Sequence, residues 1–136
     1  MHTVAVYRPG LSVPQSVPAD YLGYLRSLSK WGTRMTDVTT VKAGPYPATL
    51  FTLTTNDPQD GSVGCSNPHP RSTEECYAAQ PGLPLRMAVL TVHKALLLFW
   101  MRASQTTNDL AADSPSFDVM IQGLRFPARA VTAATG

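Results

Sequence analysis

The chain has two cysteines, Cys65 and Cys76, and both fall in one long polar stretch that limits the fold more than any other feature. From Asn56 to Leu83 the sequence reads NDPQDGSVGCSNPHPRSTEECYAAQPGL, rich in Pro, Gly, Ser and Asn, between two strand-like segments. Ordered loops longer than ~12–15 residues are uncommon in compact domains, and are usually functional or disordered. A disulfide between Cys65 and Cys76 supplies the missing order, at about 3 kcal/mol in the chain-entropy model. Disulfides persist in oxidising compartments, so this pairing predicts an extracytoplasmic or cell-surface location. Two unpaired thiols remain an alternative. A zinc site through His69 is another, but Cys65-x3-His69-x6-Cys76 supplies three ligands and matches no common zinc spacing.

At 136 residues the chain fits a single domain with a real hydrophobic core. Residues 1–127 are expected to form that domain and residues 128–136 a frayed tail. Charged residues make up 15% of the chain, against ~25% in typical proteins. Thr, Ser, Pro and Ala fill the deficit, which predicts a neutral, hydroxyl-rich surface. The net charge of +2 is small and the Arg and Lys residues are scattered, which argues against a nucleic-acid partner. The longest apolar run, Ala95 to Met101, is far shorter than the ~20 residues a spanning helix needs. The chain also enters a strand-like pattern at once, with no charged segment before it. With the disulfide, this predicts that an export signal or membrane anchor has been removed and that Met1 is a cloning start. Contact with a membrane is then expected only through that missing anchor.

Hydrophobic periodicity predicts the order β-α-β-β-loop-β-β-α. Thr3 to Tyr7 is a β-branched and aromatic opening strand, closed by Arg8-Pro9-Gly10. A helix is expected to begin near Pro18 with Ser16 as N-cap, and to end at Gly32. Tyr21, Leu22, Leu25 and Leu28 form its apolar face. Met35 to Lys42 and Ala48 to Thr55 read as strands around the turn Ala43-Gly44-Pro45-Tyr46-Pro47. In the second of these strands Leu50, Thr52 and Thr54 share one face, and Phe51, Leu53 and Thr55 the other. Leu85 to Val92 and Ala95 to Arg102 read as a hairpin. His93-Lys94 lacks the Asn-Gly chemistry of a two-residue turn, which predicts a slightly longer connection. Ala95 to Met101 is apolar on both faces, as in a central strand. Ser104 to Asp113 reads as a loop. Ser114-Pro115 then supplies an N-cap and N1 proline for a helix with Phe117, Met120, Ile121 and Leu124 inward, ended by Pro127. The fold class is therefore α+β: a twisted, mainly antiparallel sheet with two helices packed on it.

No catalytic constellation emerges. The histidines His2, His69 and His93 share no ligand spacing. Asn56, Asp57 and Asp60-Gly61 resemble a calcium-loop fragment, but Pro58 and Asn67 fall where oxygen ligands are required. Gly61-Ser62-Val63-Gly64 is one residue off a nucleophile elbow and no helix follows it. Glu74-Glu75 are adjacent and read as a solvated rim. No phosphate-cradling glycine loop occurs. The sequence supplies no catalytic residue, no metal ligands and no cofactor motif. Binding candidates cluster instead near the two cysteines: His69, Arg71, Glu74, Glu75 and Tyr77 offer donors, acceptors and one aromatic ring. Trp31, after a helix carrying Tyr21 and Tyr24, is a candidate for the edge of a groove. Trp100 reads as core.

Several short motifs occur in a telling order. They are Val17-Pro18-Ala19-Asp20-Tyr21 before a helix ending near Trp31, then Val41-Lys42-Ala43-Gly44-Pro45-Tyr46-Pro47-Ala48, and Gly61-Ser62-Val63-Gly64-Cys65 with Cys76. Leu85-Arg86-Met87-Ala88-Val89-Leu90, Leu97-Leu98-Phe99-Trp100 and Phe117-Asp118-Val119-Met120-Ile121 follow. This order resembles a family of uncharacterised extracytoplasmic domains from high-GC Gram-positive bacteria. The pattern is also similar to the PsbP/Mog1-type α/β sandwich of some actinobacterial lipoproteins. The resemblance implies the outer part of a membrane-tethered or lipid-anchored chain, with a short strand Leu124-Arg125-Phe126 after the last helix. It brings no catalytic residues with it. This chain departs from the family at His93-Lys94, where a glycine is usual.

The function expected from these features is a non-enzymatic sensor or binding domain of a membrane-anchored envelope protein, with an envelope protein or small molecule as partner. A carrier holding an apolar small molecule between sheet and helices is the alternative, and a hydrolase a more distant one. A closed apolar cavity of ~300–1,000 Å³ would favour the carrier. A solid core with an exposed aromatic groove would favour partner binding.

Overall fold

The computed structural model describes residues 1–102 and 110–126. The chain folds as α+β, with two four-stranded antiparallel sheets and two helices rather than the single sheet expected. The main sheet has the order β3-β4-β7-β8, formed by Thr33–Ala43, Tyr46–Thr55, Leu85–Val92 and Ala95–Arg102. Strict alternation along these strands builds two apolar layers. Phe51, Leu53, Leu85, Met87, Val89 and Leu98 share a core with Tyr21, Leu25 and Leu28 of the first helical segment. Leu50, Ala88, Leu90 and Val92, on the opposite face, share one with Phe117 and Ile121 of the second. The apolar character of both faces of Ala95–Arg102 comes from this two-sided packing. The strand nevertheless ends the order of four, and is covered by residues 1–3. There Thr3 N–H donates to the Leu96 carbonyl and Leu98 N–H to the Met1 carbonyl. At the other edge β3 carries a bulge between Thr36 and Thr39, with Asp37 at φ 52°. Such an irregularity discourages pairing with another chain.

The small sheet is where the sequence reading departs most from the structure. The opening strand contracts to β1, Ala5–Val6, which pairs with β2, Gln15–Ser16, on one side and with β5, Gly64–Cys65, on the other. Cys76–Tyr77 forms β6 and completes the order β2-β1-β5-β6. The long polar stretch thus contributes two strands and a 3₁₀ turn, Thr73–Glu75, and is not a structureless loop.

Helix α1 spans Tyr21–Ser27 and starts later than expected. Ser16 is committed to β2, and the segment before Pro18 stays extended because proline disfavours α geometry in the residue preceding it. Asp20 caps the helix instead, its carboxylate accepting from the Gly23 N–H at 3.0 Å. A 3₁₀ turn, Leu28–Trp31, follows and ends at Gly32 with φ 87°, as the glycine predicted.

Helix α2, Leu110–Gln122, begins before Ser114-Pro115, so that pair lies inside it and residues 110–113 are helical rather than loop. The leucine and alanines there are strong helix formers, and they carry the helix past Pro115 although an interior proline lacks one hydrogen bond and crowds the preceding turn. Met120 was expected inward but is exposed, while Phe117 and Ile121 are buried. Residues 124–126 form no strand, although Leu124 and Phe126 pack against the second core. The expected loop over residues 104–109, the stop at Pro127 and the tail 128–136 lie outside the described residues. The β7–β8 connection is shorter than expected: Val92 pairs with Ala95, and His93 and Lys94 both take positive φ, 49° and 68°. A two-residue turn of this type needs positive φ at both positions. Eight paired positions hold it closed, and His93 Nε2 lies 3.2 Å from the Tyr46 hydroxyl.

Candidate functional site

Cys65 and Cys76 face each other across β5 and β6 and are joined by a disulfide, with Cα atoms 4.4 Å apart. That separation is the close spacing of a non-hydrogen-bonded antiparallel pair, where side chains approach most nearly. The disulfide replaces the unpaired-thiol and zinc alternatives. Between the cysteines, short-range polar contacts set the backbone. Asn67 Oδ1 accepts from the His69 N–H at 2.9 Å and Ser72 Oγ from the Glu74 N–H at 3.3 Å. Glu75 Oε2 accepts from the Arg71 N–H at 2.6 Å, with the Arg71 guanidinium 4.0 Å away. Asn and Ser side chains satisfy nearby backbone donors in this way wherever regular structure stops.

The segment leading into the ring is anchored to the first helix. The Tyr21 hydroxyl donates to the Val63 carbonyl and the Tyr24 hydroxyl to the Ser62 carbonyl, each at 2.7 Å. Burial raises the Tyr21 hydroxyl well above its usual pKa, and the nearby Tyr24 adds to the effect. Burial likewise pushes Tyr24 up to about 12, opposed by the Arg8 guanidinium, which sits 5.2 Å from the centre of its ring. Both hydroxyls therefore stay protonated donors at neutral pH.

Beside the ring lies an open cleft of about 340 Å³, lined by Arg8, Gly10, Leu11, Gln59, Asp60 and Thr73 among others. A second hollow of about 230 Å³ shares Asp60 and Thr73 with it and adds Glu74, Cys76 and Gln80. Trp31 does not line the cleft itself but adjoins two residues that do. Its carbonyl accepts from Gln59 Nε2 at 3.4 Å, and the tip of its indole lies 4.0 Å from where a Cβ on Gly10 would stand. Gly10 is at φ 80°, which a side chain rarely adopts, so the turn favours glycine there. Trp31 is 47% exposed.

The predicted binding residues are thus only partly assembled. Glu74 lines the second hollow, and Trp31 stands over the turn that lines the first. Arg71 and Glu75 pair with each other on the exposed ring, and His69 is exposed beyond them. Tyr77 points elsewhere, its ring 4.8 Å from that of Trp100 on the main sheet. Sequence reasoning missed Arg8, Gln59, Asp60 and Thr73. They come from three separate turns, and no local spacing announces their convergence.

It also missed a buried ion pair. Arg86, 4% exposed, donates through Nε and Nη2 to both Asp118 oxygens, at 3.1 and 2.9 Å. Its Nη1 donates to the Asp37 carbonyl in the β3 bulge at 2.9 Å. A cavity of about 460 Å³ adjoins it, lined by Asp37, Thr52, Thr54, Pro84, Ser114 and Pro115 as well as the pair. The signal was present as one arginine in an otherwise apolar strand, LRMAVL, and one aspartate beside the inward Phe117. Among the described residues, no group of three or more His, Cys, Asp or Glu side chains is placed to hold a metal ion, and no helix is long and apolar enough to cross a membrane.

No family model matches the chain, and neither a curated protein nor a solved structure matches it.

Proposed function

We propose that this chain is a non-enzymatic extracytoplasmic binding domain of a membrane-anchored envelope protein, of the PsbP/Mog1-like kind, and that it binds through the disulfide-ringed end of the small sheet. The observation that carries this reading is the cleft beside the ring. The covalently closed segment contributes Thr73 to one open hollow, and the exposed Trp31 indole lies next to the Gly10 turn that forms its opposite wall. Loops on a rigid scaffold carry function more often than the scaffold does. Pre-organising such a loop removes part of the ordering cost of association. The Cys65–Cys76 disulfide supports the extracytoplasmic part, because reducing compartments do not sustain structural disulfides. The carrier alternative calls for a closed apolar cavity, whereas the hollow beside α2 is open and sets Arg86 and Asp118 beside Pro84 and Pro115.

The test replaces residues 66–75 with a short Gly/Ser linker between the intact cysteines. Parent and variant are used as bait in cell-envelope extract. The parent is expected to retrieve a partner or ligand that the folded variant does not. Retrieval by both would remove the ring from the binding surface.

A further inference from the structure

We infer, independently of the cleft beside the ring, that the open half of the β8 edge, from Phe99 to Arg102, takes an extended peptide segment of a partner protein as an added strand. The two-residue turn at His93-Lys94 makes Val92 and Ala95 a hydrogen-bonded pair. Alternation along β8 then turns the backbone N–H and C=O groups of Leu96, Leu98, Trp100 and Arg102 away from β7. Residues 1–3 use the first of these. Thr3 N–H donates to the Leu96 carbonyl, Leu98 N–H donates to the Met1 carbonyl at 2.8 Å, and the Met1 amine donates to the Leu98 carbonyl at 2.6 Å. The same two-residue step reaches Trp100 and Arg102 next. Neither has a backbone partner on that side among the described residues. The template that orders residues 1–3 therefore continues beyond them.

The other free edges are blunted. β3 is interrupted by its bulge. β2 is two residues long between Pro14 and Pro18, and β6 is two residues long with Cys76 tied into the disulfide. Short strands, prolines and bulges are the usual protections against strand addition. Between Ala95 and Met101, β8 has none of them: its register with β7 is unbroken, and it contains neither proline nor charge. Its Leu96, Leu97, Phe99, Trp100 and Met101 are only half-buried. Beside the open half, the Tyr77 ring is 45% exposed and lies 4.8 Å from that of Trp100. An added strand gains backbone hydrogen bonds from Trp100 and Arg102 and sets alternate side chains against this aromatic pair. β-Branched and aromatic residues suit such a half-buried pleated surface, so the partner segment is expected to be rich in them.

The experiment selects a displayed library of random linear decapeptides against the intact, disulfide-bonded protein, then titrates the most enriched sequence as a free synthetic peptide. Saturable binding is expected, with the Trp100 and Arg102 amides shifting in the NMR spectrum and gaining protection from exchange. N-methylation of alternate peptide residues, in the one of its two registers that faces β8, should weaken binding about tenfold or more, the equivalent of 1.4 kcal/mol. Arg102→Pro removes an outward N–H and spares every bond to β7. It should weaken binding about threefold or more, as the loss of one hydrogen bond. If that variant does not fold, the N-methylated peptides decide alone. The inference is overturned if no enriched peptide binds saturably, if N-methylation in neither register matters, or if folded Arg102→Pro binds like the parent. Concentration-dependent shifts of Trp100 and Arg102 in the free protein would overturn it in favour of a second copy of this chain. Protection confined to residues 66–75 would overturn it and leave the binding role of the ring standing.

Discussion

The two sheets of this domain are held together by different physics. The main sheet has strands of eight to eleven residues and buries large apolar side chains on both faces. The small sheet is built from four strands of two residues each. Its own buried cluster is Ala5, Tyr7 and Cys65 with Cys76 against them. Two-residue strands bury too little apolar surface to offset the entropy of ordering them. A disulfide, two tyrosine hydroxyls and the burial of Val6 and Val63 in the main core make up the difference. The main sheet is therefore expected to depend on packing alone, and the small sheet on its covalent and polar anchors as well. A chain arranged this way can vary its ringed surface without disturbing its core.

The largest expected effect breaks the link between α2 and the main sheet at the Arg86–Asp118 ion pair. Asp118→Ala leaves the Arg86 guanidinium buried without its carboxylate, which should cost about 3–5 kcal/mol in a urea unfolding titration. The paired replacement Arg86→Met with Asp118→Leu should recover most of that loss, because two apolar side chains leave no stranded charge. If the single variant were as stable as the parent, the pair would not join α2 to the sheet.

Removing the disulfide sharpens the contrast from the other side. Cys65→Ser with Cys76→Ser should cost about 3 kcal/mol, the loop-closure contribution, in the same titration. The smallest effect concerns pH. Tyr21 and Tyr24 have raised pKa values in the fold, so their stabilisation is complete below pH 10, the unfolded value. Above it the unfolded state releases protons that the fold retains, and stability falls as pH rises from 10 towards 12. Parent protein should lose midpoint denaturant concentration across that window, and Tyr24→Phe should lose less. An equal slope in both would mean that Tyr24 does not anchor the ring.

The main sheet was legible because its signals are local. Period-two alternation in ATLFTLTT and LRMAVLTV, and the apolar run ALLLFWM, mark strands whatever surrounds them. The small sheet was not legible, since two-residue strands such as Gly64–Cys65 have no period to detect and exist only through their partners. Cysteine content alone exposed that region. At His93-Lys94 local turn preference was overruled by the long pairing of β7 with β8. At Ser114-Pro115 good capping chemistry was overruled by helix-forming residues upstream. The cleft is the extreme case: Arg8, Gln59 and Thr73 are far apart in sequence and meet only because β1 and β5 pair.

Amide hydrogen exchange on the parent and on the Cys65→Ser, Cys76→Ser variant tests the division between the sheets most directly. In the variant, the amides of Val4, Tyr7 and Val63, which donate within or beside the small sheet, should exchange much faster. Those of Phe51, Met87 and Val89 in the main-sheet core should stay protected by an opening energy close to the variant's whole stability. Uniform loss of protection across both sets would contradict the account, because it would make the two sheets one cooperative unit held by the same forces.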